Sequence, residues 1–167
     1  MSRAGISAAA VVMFLCGGIA AAKEVTLGLG RTQFSNSKAD DSAFGTVEYH
    51  HDPFTSWMGF DLGLTAGLYR DGQSNGFIGA GLVATRDLGK GGWFVQLSEM
   101  PGYYHSSDDA HDLGLALEFQ SQLAVGYRLT DGNALSLGVA HMSNGKLGDR
   151  NPGVNLLQMR LHHRLGR

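Results

Sequence analysis

The sequence predicts an all-β protein, an eight-stranded antiparallel transmembrane β-barrel that follows a cleavable signal peptide. Three observations support this fold class. Charged residues make up 17% of the 167-residue chain and 25 residues are glycine, whereas soluble domains are about 25% charged and about 7% glycine. Apolar residues alternate with small or polar residues in eight segments. The connections between these segments are alternately short and long, as in bacterial outer-membrane barrels.

The first 22 residues are predicted to be a secretory signal peptide. Arg3 precedes the apolar run AAAVVMFLCGGIAAA, which ends in the small residues Ala20 and Ala22. An N-terminal membrane anchor is the alternative, but the run is shorter than the ~20 apolar residues that a spanning helix needs. Cleavage after Ala22 would leave residues 23–167 as the barrel domain and would remove the single cysteine, Cys16.

The barrel strands are predicted from a period-two alternation, because successive side chains of a strand point to opposite faces. In chain order the predicted strands are residues 25–34, 44–50, 57–69, 77–87, 93–100, 113–129, 135–143 and 155–165. At about 3.3 Å per residue, the strand 113–129 would span more than about 50 Å. The apolar faces carry almost no charge, which favours a membrane barrel over a secreted β-sandwich or a lipocalin-like barrel.

The connections predict how the barrel is oriented. HDPFTS, LGKGG and TDGN are short, whereas SNSKADDSA, RDGQSNG, GYYHSSDDAHD and NGKLGDRNPG are longer and polar. Short connections face the periplasm and long ones the exterior, so the odd-numbered predicted strands run outward. Aromatic residues near the strand ends predict an interfacial girdle; they are Tyr49, Phe54, Trp57, Tyr69, Trp93, Tyr103 and Tyr104.

Composition excludes several other classes of protein. Disorder is excluded by the 43% hydrophobic content and the net charge of -2, and a disulfide scaffold by the single cysteine. With 13 basic and 15 acidic residues and no basic patch, the sequence predicts no nucleic-acid partner. It contains no phosphate-binding loop and no G-x-S-x-G motif. No histidine spacing resembles a structural zinc pattern, so neither a cofactor nor a metal is predicted.

His141 and Ser143 are the strongest candidates for a reactive pair. Both share the apolar, outward parity of Leu135, Leu137 and Val139, which places two polar side chains on the lipid-facing surface. Residues two apart on a strand lie about 6–7 Å apart at the backbone, so their side-chain tips can approach hydrogen-bonding distance. The other histidines are predicted to lie at the surface or the membrane interface; they are His50, His51, His105, His111, His162 and His163.

The stretch HMSNGKLGDRNPGVN, beginning at His141, resembles the H-x-S-N signature of the PagL-type lipid A 3-O-deacylases. The segment LEFQSQLAVGYRL also resembles a strand of that family. These are outer-membrane enzymes of Gram-negative bacteria with an eight-stranded barrel and a lipid-facing active site. The resemblance implies a serine esterase that hydrolyses the 3-O-linked acyl ester of lipid A, the membrane anchor of lipopolysaccharide.

The resemblance also implies roles for individual residues. His141 would be the general base and Ser143 the nucleophile, while Asn144 and Gly145 would form the oxyanion hole. Asn151 and Asp149 would support the loop that follows; turn formation is an equally good reason for Asn151.

The chain departs from the family pattern at Asn155, where the family has a glutamate fourteen residues after the histidine. An asparagine can accept the His141 N–H and fix the tautomer of the ring, but it carries no charge to stabilise an imidazolium. The departure therefore predicts weakened activity.

Topology predicts where such a site would act. In the seventh predicted strand, His141 and Ser143 lie at the outer end, in the leaflet that holds lipopolysaccharide. An eight-stranded barrel is filled by its own side chains, so a channel is not expected. Two rival functions remain open at this point. One is a non-catalytic barrel whose loops bind lipopolysaccharide or surface partners, and the other is a phospholipase-type activity on a different acyl ester.

Overall fold

Nine β-strands form the part of the chain that the computed structural model describes, residues 22–165. They are β1 (Ala22–Phe34), β2 (Ala43–His51), β3 (Thr55–Trp57), β4 (Phe60–Asp71), β5 (Gly76–Asp87), β6 (Trp93–His105), β7 (Leu117–Arg128), β8 (Asn133–Ser143) and β9 (Val154–Arg164). Within the same range no helix is long and apolar enough to cross a membrane. The predicted signal peptide falls almost wholly outside the described residues.

All the strands pair with antiparallel neighbours, and the sheet closes on itself. The order is β2-β1-β9-β8-β7-β6-β5-β4, with β2 pairing to β4 to complete the ring. β3 stays outside this closure, because it pairs only with the start of β4. Eight strands therefore form a closed antiparallel barrel, which confirms the predicted fold class.

The alternation of side chains confirms the predicted parity. Along β8 every second residue is exposed, and the residues between them are buried. Leu137 and Val139 are 58% and 51% exposed on the outer surface, whereas Ala140 and Met142 face the interior. An outer surface of exposed leucine, valine and aromatic side chains is stable only in lipid.

Three strand boundaries differ from the prediction. The segment 57–69 contains a two-residue turn at Met58 and Gly59, whose φ angles of 50° and 78° suit a hairpin turn. The segment 93–100 continues to His105. The segment 113–129 begins as a strand only at Leu117, because Gly114 has φ 101° and Leu113 turns inward into the core.

The barrel has two chemically different ends. The loop end carries connections 35–42, 72–75, 106–116 and 144–153, and the turn end carries connections 52–59, 88–92 and 129–132. Below the loops the interior is filled by a hydrophobic cluster: Phe34, Phe44, Tyr69, Phe77, Met100, Tyr104, Leu113, Ala140, Met142, Val154 and Leu156. Towards the turn end the interior is polar and includes Glu48, His50, Gln158, Arg160 and His162, all buried.

Several sequence-based expectations about side-chain position are wrong. Tyr69 and Tyr104, expected in the interfacial girdle, are buried in the hydrophobic cluster because their parity points them inward. His50 and His162, expected at the surface, also point inward and are 5% and 2% exposed. His111 is buried in the loop 106–116 against the ring of Phe34.

Candidate active site

A polar site lies on the outer surface of the barrel, near the loop end of β8 and β9. His141 and Asn155 are directly opposite each other in the β8–β9 register, and both are exposed on the outer face. His141 Nδ1 lies 2.8 Å from Asn155 Oδ1. Because a neutral asparagine oxygen only accepts, His141 carries its proton on Nδ1, and Nε2 is left as a base.

Ser143 lies two residues further along the same face of β8. Its side chain is half-buried, and its cross-strand neighbour is Phe119 of β7. Between residues 22 and 165 no hydrogen bond joins the Ser143 hydroxyl to His141 or to any other group. The two side chains therefore share a face of β8 without a hydrogen bond between them.

Asn144 has a structural role that sequence reasoning missed. Its side-chain Nδ2 donates to the carbonyls of Leu113 (3.0 Å) and Arg150 (2.7 Å), and its backbone N–H donates to Asn151 Oδ1 at 2.9 Å. Its Oδ1 accepts from the Lys146 N–H at 3.0 Å. Fully buried and with every donor engaged, Asn144 fastens the loop 144–153 and has no donor left for an oxyanion, contrary to the expectation.

Two other candidate residues keep a donor available in this loop. Gly145 has φ 63° and is exposed, and its backbone N–H makes no hydrogen bond to the described part of the chain. Asn151 is anchored through its Oδ1, which leaves its Nδ2 without a partner among residues 22–165. Asp149 is exposed, and no hydrogen bond or ion pair within that range joins it to His141.

Gly153 sets the position of the His141 ring. A Cβ atom at this position would lie 2.8 Å from His141 Cε1 and 3.2 Å from Nε2. Gly153 also has φ 70°, a conformation that side chains other than glycine rarely adopt. The absence of a side chain here lets the ring lie against the loop backbone.

The polar site extends beyond the predicted residues as a row across five strands. In register, Gln33 of β1 is opposite Asn155, His141 is opposite Ser121 of β7, and Ser121 is opposite Glu99 of β6. The Ser121 hydroxyl donates to the Glu99 carboxylate. The outward parity of Glu99, shared with Leu97, is the signal that could have revealed it in the sequence.

A groove runs along this row on the outer surface. Its volume is about 960 Å³, and its walls combine leucines of several strands with His141, Asn155, Glu99 and Arg31. A lipid-facing groove lined by both apolar and polar side chains suits a molecule that has both acyl chains and a polar group.

A second cluster of polar groups lies on the opposite side of the barrel wall. Inside the turn end, the carboxylate of Glu24 and the imidazoles of His50 and His162 bring three possible ligand atoms within 4.8 Å of one another, the one such group between residues 22 and 165. It shares no residue with the outer groove.

Comparisons with known proteins agree with the barrel fold. The lipid A 3-O-deacylase (PagL) family matches residues 31–164. No curated protein matches the chain. Among solved structures, the outer membrane enzyme PagL has a TM-score of 0.70 at 16% identity, covering 85% of this chain and 99% of the other.

A second outer-membrane structure shares the fold at lower similarity. Neisserial surface protein A has a TM-score of 0.59 at 13% identity, covering 85% of this chain and 96% of the other. Identities this low show the fold alone, and the fold is that of an outer-membrane barrel. The family match spans nearly all the described residues, and so the chain belongs to the lipid A 3-O-deacylase (PagL) family.

Proposed function

We propose that the chain hydrolyses the 3-O-linked acyl ester of lipid A in the outer leaflet, with Ser143 as nucleophile and His141 as general base. The observation that carries this proposal is the 2.8 Å contact between His141 Nδ1 and Asn155 Oδ1 on the lipid-facing surface, beside Ser143. A polar pair exposed to lipid is costly for a merely structural role. The contact also leaves Nε2 free to take a proton.

The proposed reaction has two steps. His141 Nε2 accepts the proton of Ser143 as the serine oxygen attacks the ester carbonyl. The tetrahedral intermediate collapses to an acyl-serine, and the protonated His141 donates its proton to the departing lipid A hydroxyl. Water, deprotonated by the same nitrogen, then attacks the acyl-serine; the bond to the serine oxygen breaks, His141 returns the proton to that oxygen, and the fatty acid is released. Asn155 holds the ring throughout through Nδ1.

We assign the oxyanion donors to the Gly145 N–H and the Asn151 side-chain amide. Both are in the loop that follows Ser143, and both keep a donor that the rest of the described chain does not use. Asn144 contributes indirectly, because its buried side chain holds that loop in place. A single oxyanion donor typically contributes about 2.7–4 kcal/mol to transition-state stabilisation.

The groove accounts for lateral access of the substrate. Its apolar walls match the acyl chains, and Arg31 offers a cation to a lipid A phosphate. The interior at the loop end is closed by the hydrophobic cluster, so the substrate would approach from the membrane and not through a pore.

Mass spectrometry of lipid A from cells that express the protein tests the proposal. We expect a mass loss of one 3-hydroxyacyl chain, which is absent in Ser143→Ala and His141→Ala. His163→Ala is the matched control, since His163 is also exposed and contacts an asparagine (Asn133, 2.9 Å), but at the turn end. Activity of this control should be unchanged.

Three outcomes would contradict the proposal. Unchanged lipid A in the presence of folded barrel would favour a non-catalytic protein that binds lipopolysaccharide. Acyl loss from phospholipids alone would favour the phospholipase reading. Full activity of Ser143→Ala would exclude this serine as the nucleophile.

A further inference from the structure

Three side chains with metal-binding atoms converge inside the barrel near its turn end. Glu24 is on β1, His50 on β2 and His162 on β9. The Nδ1 atoms of both histidines approach the same oxygen, Glu24 Oε1, at distances of 3.1 and 2.7 Å. All three ligand atoms lie within 4.8 Å of one another. A tetrahedral zinc ion holds its ligands about 3.4 Å apart, so small side-chain shifts would complete the geometry.

The second nitrogen of each histidine is also held by a polar partner. His50 Nε2 lies 3.1 Å from Glu48 Oε2, and His162 Nε2 lies 2.7 Å from Ser136 Oγ. Metal-bound histidines commonly donate their other N–H to a carboxylate or a similar acceptor, which orients the ring and raises its basicity. The cluster has this arrangement at both rings.

The two partners of His50 are consistent with a metal ion at this cluster. Both of its nitrogens face carboxylates, Glu24 on one side and Glu48 on the other. A divalent cation between Glu24 and His50 Nδ1 would leave the Nε2–H of this ring to donate to Glu48, the arrangement common at metal-bound histidines.

The surroundings provide charge, space and a further ligand. Glu24 and Glu48 outnumber the one guanidinium that is buried between residues 22 and 165, that of Arg160, which pairs with Glu48. A cavity of about 270 Å³ at the turn end is lined by Glu24 and His50 and can supply a water. The Thr26 hydroxyl, 3.2 Å from His162 Nδ1, is an alternative fourth ligand.

We propose that Glu24, His50 and His162 form a zinc site that fastens together the first, second and last strands of the barrel. Nitrogen and carboxylate ligands in this combination suit zinc among divalent cations. The site is structural. It lies on the inner face at the turn end, whereas the polar site of the outer groove is near the loop end, so the two are independent.

Metal binding to the purified full chain in detergent tests the site. We expect one equivalent of Zn²⁺ or Co²⁺ per chain by titration calorimetry, with the visible absorption of tetrahedral Co²⁺, and a Zn²⁺-dependent rise in the thermal unfolding temperature. His162→Ala and Glu24→Gln should lose all three signals. His163→Ala, the adjacent exposed histidine, should keep them.

The wild-type protein alone also decides the question if a variant fails to fold. X-ray absorption of the zinc-loaded chain should show two histidine nitrogens and oxygen ligands at about 2.0–2.2 Å. Absence of stoichiometric binding by folded wild-type barrel, a different histidine count, or undiminished binding by folded His162→Ala would overturn the proposal. Loss of binding in His163→Ala would overturn it as well.

Discussion

Replacement of Asn155 by a carboxylate should raise the rate of deacylation. Asn155→Asp is isosteric and keeps the 2.8 Å contact with His141 Nδ1, while Asn155→Glu introduces a carboxylate on a side chain that is one methylene longer. Both change a neutral acceptor into an anion beside the ring that becomes an imidazolium during the reaction. The added attraction exists mainly in the charged transition state, so it should increase kcat.

The size of the effect follows from the distance and the exposure. Two unit charges about 4 Å apart attract by about 4 kcal/mol at an effective dielectric constant of about 20. His141 and Asn155 are both exposed, and screening reduces the gain to about 0.2–1 kcal/mol. This range corresponds to about a 1.4- to 5-fold increase in rate.

The assay is a time course of fatty-acid release from lipopolysaccharide by purified protein in detergent, read by mass spectrometry. Asn133→Asp is the matched control, because Asn133 makes the same contact with His163 at 2.9 Å on the same outer face. This control should leave the rate unchanged. If folded Asn155→Asp and Asn155→Glu are both no faster than wild type, while His141→Ala is inactive, Asn155 does not orient the base as argued.

Three further variants test other parts of the structure. Gly153→Ala should lower activity at least about tenfold in a folded barrel, because its Cβ would meet the His141 ring at 2.8 Å; lipid A mass spectrometry with a heat-modifiability gel checks this. Asn144→Ala should destabilise the loop 144–153 by about 1–3 kcal/mol, since the buried Leu113 carbonyl and the part-buried Arg150 carbonyl lose their donor; faster proteolysis confined to that loop is the readout. Burial lowers the pKa of His111, but hydrogen bonds to the Asp108 carboxylate and the Asp40 carbonyl raise it more, so the net pKa is raised. The contribution of His111 to loop stability is then full below about pH 6.5 and is lost as pH rises through the folded pKa; NMR titration should show a lower midpoint in Asp108→Asn, and an equal midpoint would refute the pairing.

The barrel was predictable because each strand has one face toward lipid and one toward the interior, so apolar side chains recur at every second position. The same period gives the outward positions of His141 and Asn155, and their pairing follows from the β8–β9 hairpin. Strand ends were less predictable. Leu113 has the parity of β7 but lies before this strand, which begins at Leu117, and its side chain is buried in the core next to the turn at Gly114. Alternation alone carries no signal for that turn.

The finer features of the site depend on contacts between distant segments. Asn144 binds the carbonyl of Leu113 in another loop, a contact that no local spacing in the sequence encodes. The grouping of Glu24, His50 and His162 arises only because closure brings β1 beside both β2 and β9. Interior polar residues could be assigned to a face by parity, but not to one another.

The outer groove forms only when the first strand, β1, pairs with the last strand, β9. Arg31 and Gln33 come from the first strand, His141 and Asn155 from the last hairpin, and only the pairing of the two chain ends brings them to one surface. A chain still in transit, with its ends apart, has no complete groove in which to hold a lipid. The proposed hydrolysis would therefore require the closed barrel, because the groove is complete only when β1 pairs with β9.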